Sequence, residues 1–137
     1  MKTHSDNILA IVPRLVVRDG AAALEFYAKA LGATVHDQHT DGDRGGALIH
    51  AELRVGPTSF TLTEEKRDWH NDAPPSLGGS PVILTLAVAD ATSVWNQLVA
   101  AGADVVFPLR DQPYGAREGR ARDPFGHLWI ISQRLHA

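Results

Sequence analysis

The chain has 137 residues, 44% hydrophobic and 21% charged, with a formal net charge of −3 at pH 7. That is chain enough for one domain with its own core, and its slight acidity offers no footprint for nucleic acid or an anionic membrane. It contains no cysteine, which excludes disulfides, thiolate nucleophiles and cysteine-ligated zinc.

The polar start MKTHSDN leads only into the short run ILAIV before Pro13, so no signal peptide or membrane span is expected and a cytoplasmic location is the default. Residues 11–17 read as a strand, which Pro13 confines to an edge or a strand start. Asp19 is placed to cap a helix, its carboxylate accepting from an orphan N–H. Leu24, Tyr27, Ala28 and Leu31 then recur at the spacing of one apolar helix face, and Gly32 supplies the left-handed stop. A strand over 33–38 precedes the turn-rich TDGDRGG. Residues 47–55 and 58–64 read as two strands joined at Gly56-Pro57.

Residues 66–80, with Pro74, Pro75, Gly78 and Gly79, form a linker between a first module at about 8–65 and a second at about 81–137. The second module starts with a strand over 82–88. Asp90 again caps a helix, whose apolar face is Val94, Leu98 and Ala101 and whose stop is Gly102. A strand over 103–108, a loop or short strand around 114–120 and a final strand over 127–133 complete it. The segments LVVRDGAAALEFYAKALGATV and LAVADATSVWNQLVAAGADVV thus share one plan. A duplicated unit of this kind must bury its faces against its twin or a partner. The expected fold class is α+β, with two βαβββ modules forming a curled mixed sheet around a pocket. No GxGxxG, P-loop or GxSxG motif is present, so dinucleotide, nucleotide and serine-hydrolase chemistry lack support.

Four segments carry a family resemblance: VPRLVVRDGAAALEFYAKALGA, HAELRVG, LGGSPVILTLAVAD and YGAREGRARDPFGHLW. Together they resemble the vicinal oxygen chelate superfamily of glyoxalases, bleomycin-resistance proteins and extradiol dioxygenases. The resemblance implies paired βαβββ modules around a concave pocket, commonly in a homodimer. In enzymes it also implies one divalent metal held from the first and last strands of each module. Those positions fall here at about Val12, Thr61, Ile83 and Ile130. Three cannot bind a metal and Thr61 is a poor ligand, because such cations need carboxylate or imidazole donors.

Other residues carry competing readings. His50 and Glu52 alternate on one strand face and could supply relocated metal ligands, with Glu64 or His127 as a third; a solvent-facing pair is the plainer reading. Glu64 and Glu65, at a strand end, are expected to be solvated charges. Tyr114 and Arg117 offer an aromatic surface and a bidentate donor for a carboxylate or phosphonate, unless Arg117 is ion-paired at the surface. Trp69 could lid the pocket or anchor a dimer. His127 and Asp123 belong to a structural turn, and Trp95 and Trp129 are packing residues. The expected ligand-binding set is therefore His50, Thr61, Trp69, Tyr114 and Arg117. The expected function is metal-free binding of a hydrophobic or aromatic small molecule, with no cofactor. A divalent-metal glyoxalase- or dioxygenase-like enzyme is the alternative.

Overall fold

The structure, a computed structural model, describes residues 4–136. Its elements run β1 (Arg14–Val17), α1 (Gly20–Leu31), β2 (Thr34–Asp41), β3 (Ala47–Val55), β4 (Thr58–Glu64), α2 (Pro74–Leu77), β5 (Ile83–Ala87), α3 (Ala91–Ala100), β6 (Asp104–Asp111), β7 (Ala116–Arg122) and β8 (Leu128–Arg134). The first sheet has the order β1-β4-β3-β2 and the second β5-β8-β7-β6. Strand for strand these are the same topology, with a parallel outer pair and antiparallel neighbours. The repeat in the sequence is therefore a repeat in space.

Local chemistry sets the boundaries. The Asp19 side chain accepts from the Ala22 N–H at 3.0 Å and that of Asp90 from Ser93 at 3.1 Å, capping both long helices. Gly32 stops α1 at φ 68, where its N–H donates to the Ala28 carbonyl. Helix α3 stops differently: Ala101 is its C-cap in right-handed geometry, and Gly102 follows at φ 123. Strand β1 begins only at Arg14, since Pro13 has no N–H to give a ladder. Strands β2 and β6 run further than their sequence patterns suggest. Each absorbs a register shift, and β2 does so with Asp37 at φ 46. The linker is ordered into a 3-10 turn at Arg67–Trp69 and the short α2. Glu64 and Glu65 are not free surface charges. Glu64 accepts from the Gly20 N–H at 2.9 Å at the start of α1, and Glu65 accepts from the Ala73 N–H at 2.6 Å.

One hydrophobic cluster spans both modules. It joins Leu15, Val17, Phe60 and Leu62 of the first sheet to Trp95, Trp129 and Ile131 of the second module. Tyr27 is fully buried, edge-on to Phe60 at 5.2 Å and tilted against Trp129 at 6.0 Å. Close approach requires glycine at several points, positions 119 and 20 among them. A Cβ on Gly119 would lie 2.7 Å from the Trp95 ring, and one on Gly20 would lie 2.7 Å from Leu48 Cβ.

The seam is closed by Asp123, a buried carboxylate. It accepts from the Tyr27 hydroxyl, from Trp129 Nε1 at 2.9 Å, and from the Phe125 and His127 N–H groups at 2.9 and 3.0 Å. Burial, then the Asp123 charge, push the Tyr27 phenol well above its usual 10.0, so it stays a donor. The His127 ring adds a second tie, donating from Nε2 to the Val16 carbonyl at 2.9 Å.

Two outcomes follow for urea denaturation. Tyr27→Phe should lose about 1.5–3 kcal/mol, the worth of a hydrogen bond to a charged group. Asp123→Ala should lose more, about 3–5 kcal/mol, because several buried donors are left without an acceptor. Wild-type stability should also fall as pH rises past about 10, where the unfolded phenol ionises and the folded one does not. Tyr27→Phe should flatten that fall; an unchanged alkaline slope would remove Tyr27 as its source.

Candidate functional site

Side chains alternate across a strand, and the common core takes one face of each sheet. The opposite, open faces carry the polar and aromatic residues. On the first sheet Thr61 is the register partner of both Arg14 on β1 and Glu52 on β3. Arg14 Nη1 donates to His50 Nδ1 at 3.1 Å and lies 3.5 Å from Thr61 Oγ1, while Nη2 donates to the Ile49 carbonyl at 3.1 Å. A guanidinium only donates, so in this contact His50 Nδ1 is the acceptor. His39 lies across from His50, ring centroids 6.1 Å apart.

His50 and Thr61 are thus brought together, and the residue that joins them is Arg14. Nothing in the linear pattern singles Arg14 out. Only the β1–β4 register discloses its place.

This face does not fit a metal. The register sets Arg14, rather than Val12, beside Thr61 and sets Thr85, rather than Ile83, beside Ile130. None of these four register partners is a carboxylate or an imidazole. His50 faces Arg14, and Glu52 Oε1 accepts from Arg54 Nε at 3.0 Å. Glu64 and His127, the possible third ligands, are bonded to Gly20 and Val16. Among the described residues no group of three or more His, Asp or Glu side chains could hold a metal ion.

On the second sheet, Ile130 is the register partner of Arg120, Glu118 of Ser132, and Phe107 of Arg120. Of these, Phe107, Glu118, Arg120 and Ile130 line a cavity of about 320 Å³ with Pro108, Arg110, Gln112 and Tyr114. The Tyr114 hydroxyl donates to Glu118 Oε1, and Ser132 Oγ donates to Glu118 Oε2 at 2.7 Å. The bond to Glu118 pushes the Tyr114 phenol above its usual range.

Arg117 does not join Tyr114 in this cavity. Strand alternation turns it to the opposite face, where its fork meets Asp111, with Nε to Oδ1 at 2.7 Å and Nη2 to Oδ2 at 3.4 Å. The bond to Arg117 holds the Asp111 carboxyl below its usual range. Trp69 is 55% exposed, with Lys66 Nζ 4.6 Å and Arg44 Cζ 5.9 Å from its ring centroid. It stands beyond the end of β4, in the linker, between two cations.

Two further hollows flank the seam. The larger, about 630 Å³, runs along the outer edge of β5 and is walled mainly by Leu31, Val55, Phe60, Leu86, Val94 and Trp129. The other lies where β1 meets the linker and His127.

Two like modules, each a sheet with one helix across its inner face, define a class of protein that known relatives share. A family model described as the Glyoxalase/Bleomycin resistance protein/Dioxygenase superfamily matches residues 7–131. The chain belongs to that superfamily, the vicinal oxygen chelate proteins. An uncharacterized protein of Mycobacterium bovis is 39% identical over 127 residues, covering 90% of this chain and 82% of its own length. One from Mycobacterium tuberculosis H37Rv is 39% identical over 127 residues, covering 90% of this chain and 74% of its own. Among solved structures, TioX from Micromonospora sp. ML1 superimposes with a TM-score of 0.72 at 25% identity, covering 93% of this chain and 100% of TioX. The fosfomycin resistance protein FosX from Listeria monocytogenes gives 0.72 at 12% identity over 94% of each chain, a likeness of fold alone.

Proposed function

We propose that this chain is a metal-free small-molecule binding protein of the glyoxalase/bleomycin-resistance type. It sequesters a hydrophobic or aromatic ligand in the groove bordered by the open sheet faces, works in the cytoplasm, and does so as a homodimer. The observation that carries this reading is Arg14. A guanidinium held by an imidazole, a hydroxyl and a carbonyl stands beside Thr61, on the face where the enzymes of the family hold a dication. A fixed positive charge there repels a metal ion and welcomes a ligand. A site of this kind needs apolar walls with a few fixed polar groups, and the two open faces supply both.

The dimer is supported by apolar surface that a lone chain leaves in water. Leu9 is 99% and Ile11 92% exposed. The crevice along the unpaired edge of β5 is largely apolar, and such edges are ordinarily covered. A second copy laying its 8–12 segment against that edge would cover both. No helix among the described residues is long and apolar enough to cross a membrane.

Two measurements check this. In a thermal-shift screen of aromatic and apolar compounds, a ligand at about one hundred times its Kd should stabilise the protein by about 2.7 kcal/mol. The gain should persist in EDTA, and elemental analysis of the purified protein should find no stoichiometric metal. Binding that chelation abolishes and added metal restores would sink the reading. In sedimentation, wild-type protein should run as a dimer and Leu9→Asp with Ile11→Asp should shift it toward monomer. A monomeric wild type would remove the dimer.

A further inference from the structure

The cavity on the second sheet holds an unresolved charge. Arg120 lines it with Arg110, and the one carboxylate among the lining residues is Glu118. Both Glu118 oxygens are taken by hydroxyls, from Tyr114 and Ser132, and neither arginine forms an ion pair among the described residues. The Arg120 guanidinium lies 5.3 Å over the Phe107 ring. Its Nε is shielded from solvent and has no acceptor. A buried N–H left without an acceptor is costly, and in native proteins it calls for a partner. Glu118 is already engaged by two hydroxyls, so the Arg120 guanidinium keeps its charge for a group that enters the cavity.

We infer that this cavity is an oxyanion site: it takes a carboxylate or phosphonate carried on a flat aromatic body. The anion lies on Arg120, with Arg110 adding charge from the rim. The body lies against Phe107, Tyr114 and Ile130. A cavity of about 320 Å³ suits a single substituted ring. Arginine is the residue for this task because its planar fork meets two oxygens at once and stacks on an aromatic face. The Phe107 ring already flanks the guanidinium at 5.3 Å, which lowers the rotamer freedom to be lost on binding. The inference rests on the metal-free binding reading and adds the class of ligand to it.

The test uses full-length protein labelled with ¹⁵N and three probes of one shape: benzoate, phenylphosphonate and the neutral benzamide. Side-chain Nε–H and backbone amide resonances are followed during titration. Benzoate or phenylphosphonate should saturably move the Arg120 Nε–H signal together with the amides of Phe107 and Tyr114, and the stronger of the two names the preferred head group. Benzamide should bind at least about tenfold more weakly. Arg120→Gln should weaken the anion by about tenfold or more, while Arg117→Gln, which removes the same charge from a fork already on Asp111, should not. Unfolding midpoints of both variants establish that each is folded, and Arg110→Gln, at the cavity rim, gives an independent partial loss if Arg120→Gln is not.

Equal binding of benzamide and benzoate would overturn the oxyanion site and leave a neutral small-molecule pocket, so the binding reading would survive. Shifts confined to other residues, or no saturable shift up to about 10 mM of any probe, would overturn the site outright. Anion binding here that requires added metal would instead keep the anion and sink the metal-free reading.

Discussion

The carboxylate of Asp123 is the constraint on which the two-module arrangement depends. It is buried, yet it collects donors from a helix of the first module, from the last strand of the second and from its own turn. A buried charge is tolerable only when so surrounded. Because Tyr27 and Trp129 are both large and both must reach the same carboxylate oxygen, Oδ2, the angle and separation of the modules have little freedom. The edge-to-face contacts of Tyr27 with Phe26 and Phe60 then fix the ring that carries the hydroxyl.

That seam decides which surfaces remain for function. Once one face of each sheet is committed to a common core, the pleat sends every other side chain to the opposite face. His50, Thr61 and Arg14 therefore share one surface, and Phe107, Glu118 and Arg120 share the other. The glycines at positions 20 and 119 belong to the same logic. They let α1 and Trp95 come close enough to seal the core, and so keep the open faces from being needed for packing.

The arginines follow a simple division. Arg117, Arg54 and Arg67 each find a carboxylate and are spent on exposed ion pairs of small worth. Arg14 and Arg120 have no carboxylate partner among the described residues and rest instead against an imidazole and a phenyl ring. Their charge is left over. Both are register partners of the positions the family resemblance marks, Thr61 and Ile130. Guanidinium groups at these points are the ground of the proposed anion binding, and one scaffold can host many different sites.

The sequence by itself determined the duplicated plan, the capped helices and the α+β class. These are local matters: an Asp before an apolar helical face, a Gly after it, and β-branched runs between turns. It also set Val12, Thr61, Ile83 and Ile130 at the positions where the resemblance implies metal ligands. Partners far apart in the chain were a different matter. DPFG announced a turn held by Asp123, but not that the same side chain would reach Tyr27 across 96 positions. Arg117, beside Tyr114 in sequence, looked like that residue's companion, and the pleat turned it away to Asp111. Arg14 and Arg120 carried no signal at all in the linear pattern. What a charged side chain does depends on which groups surround it, and here only the strand registers and the seam between modules decided that.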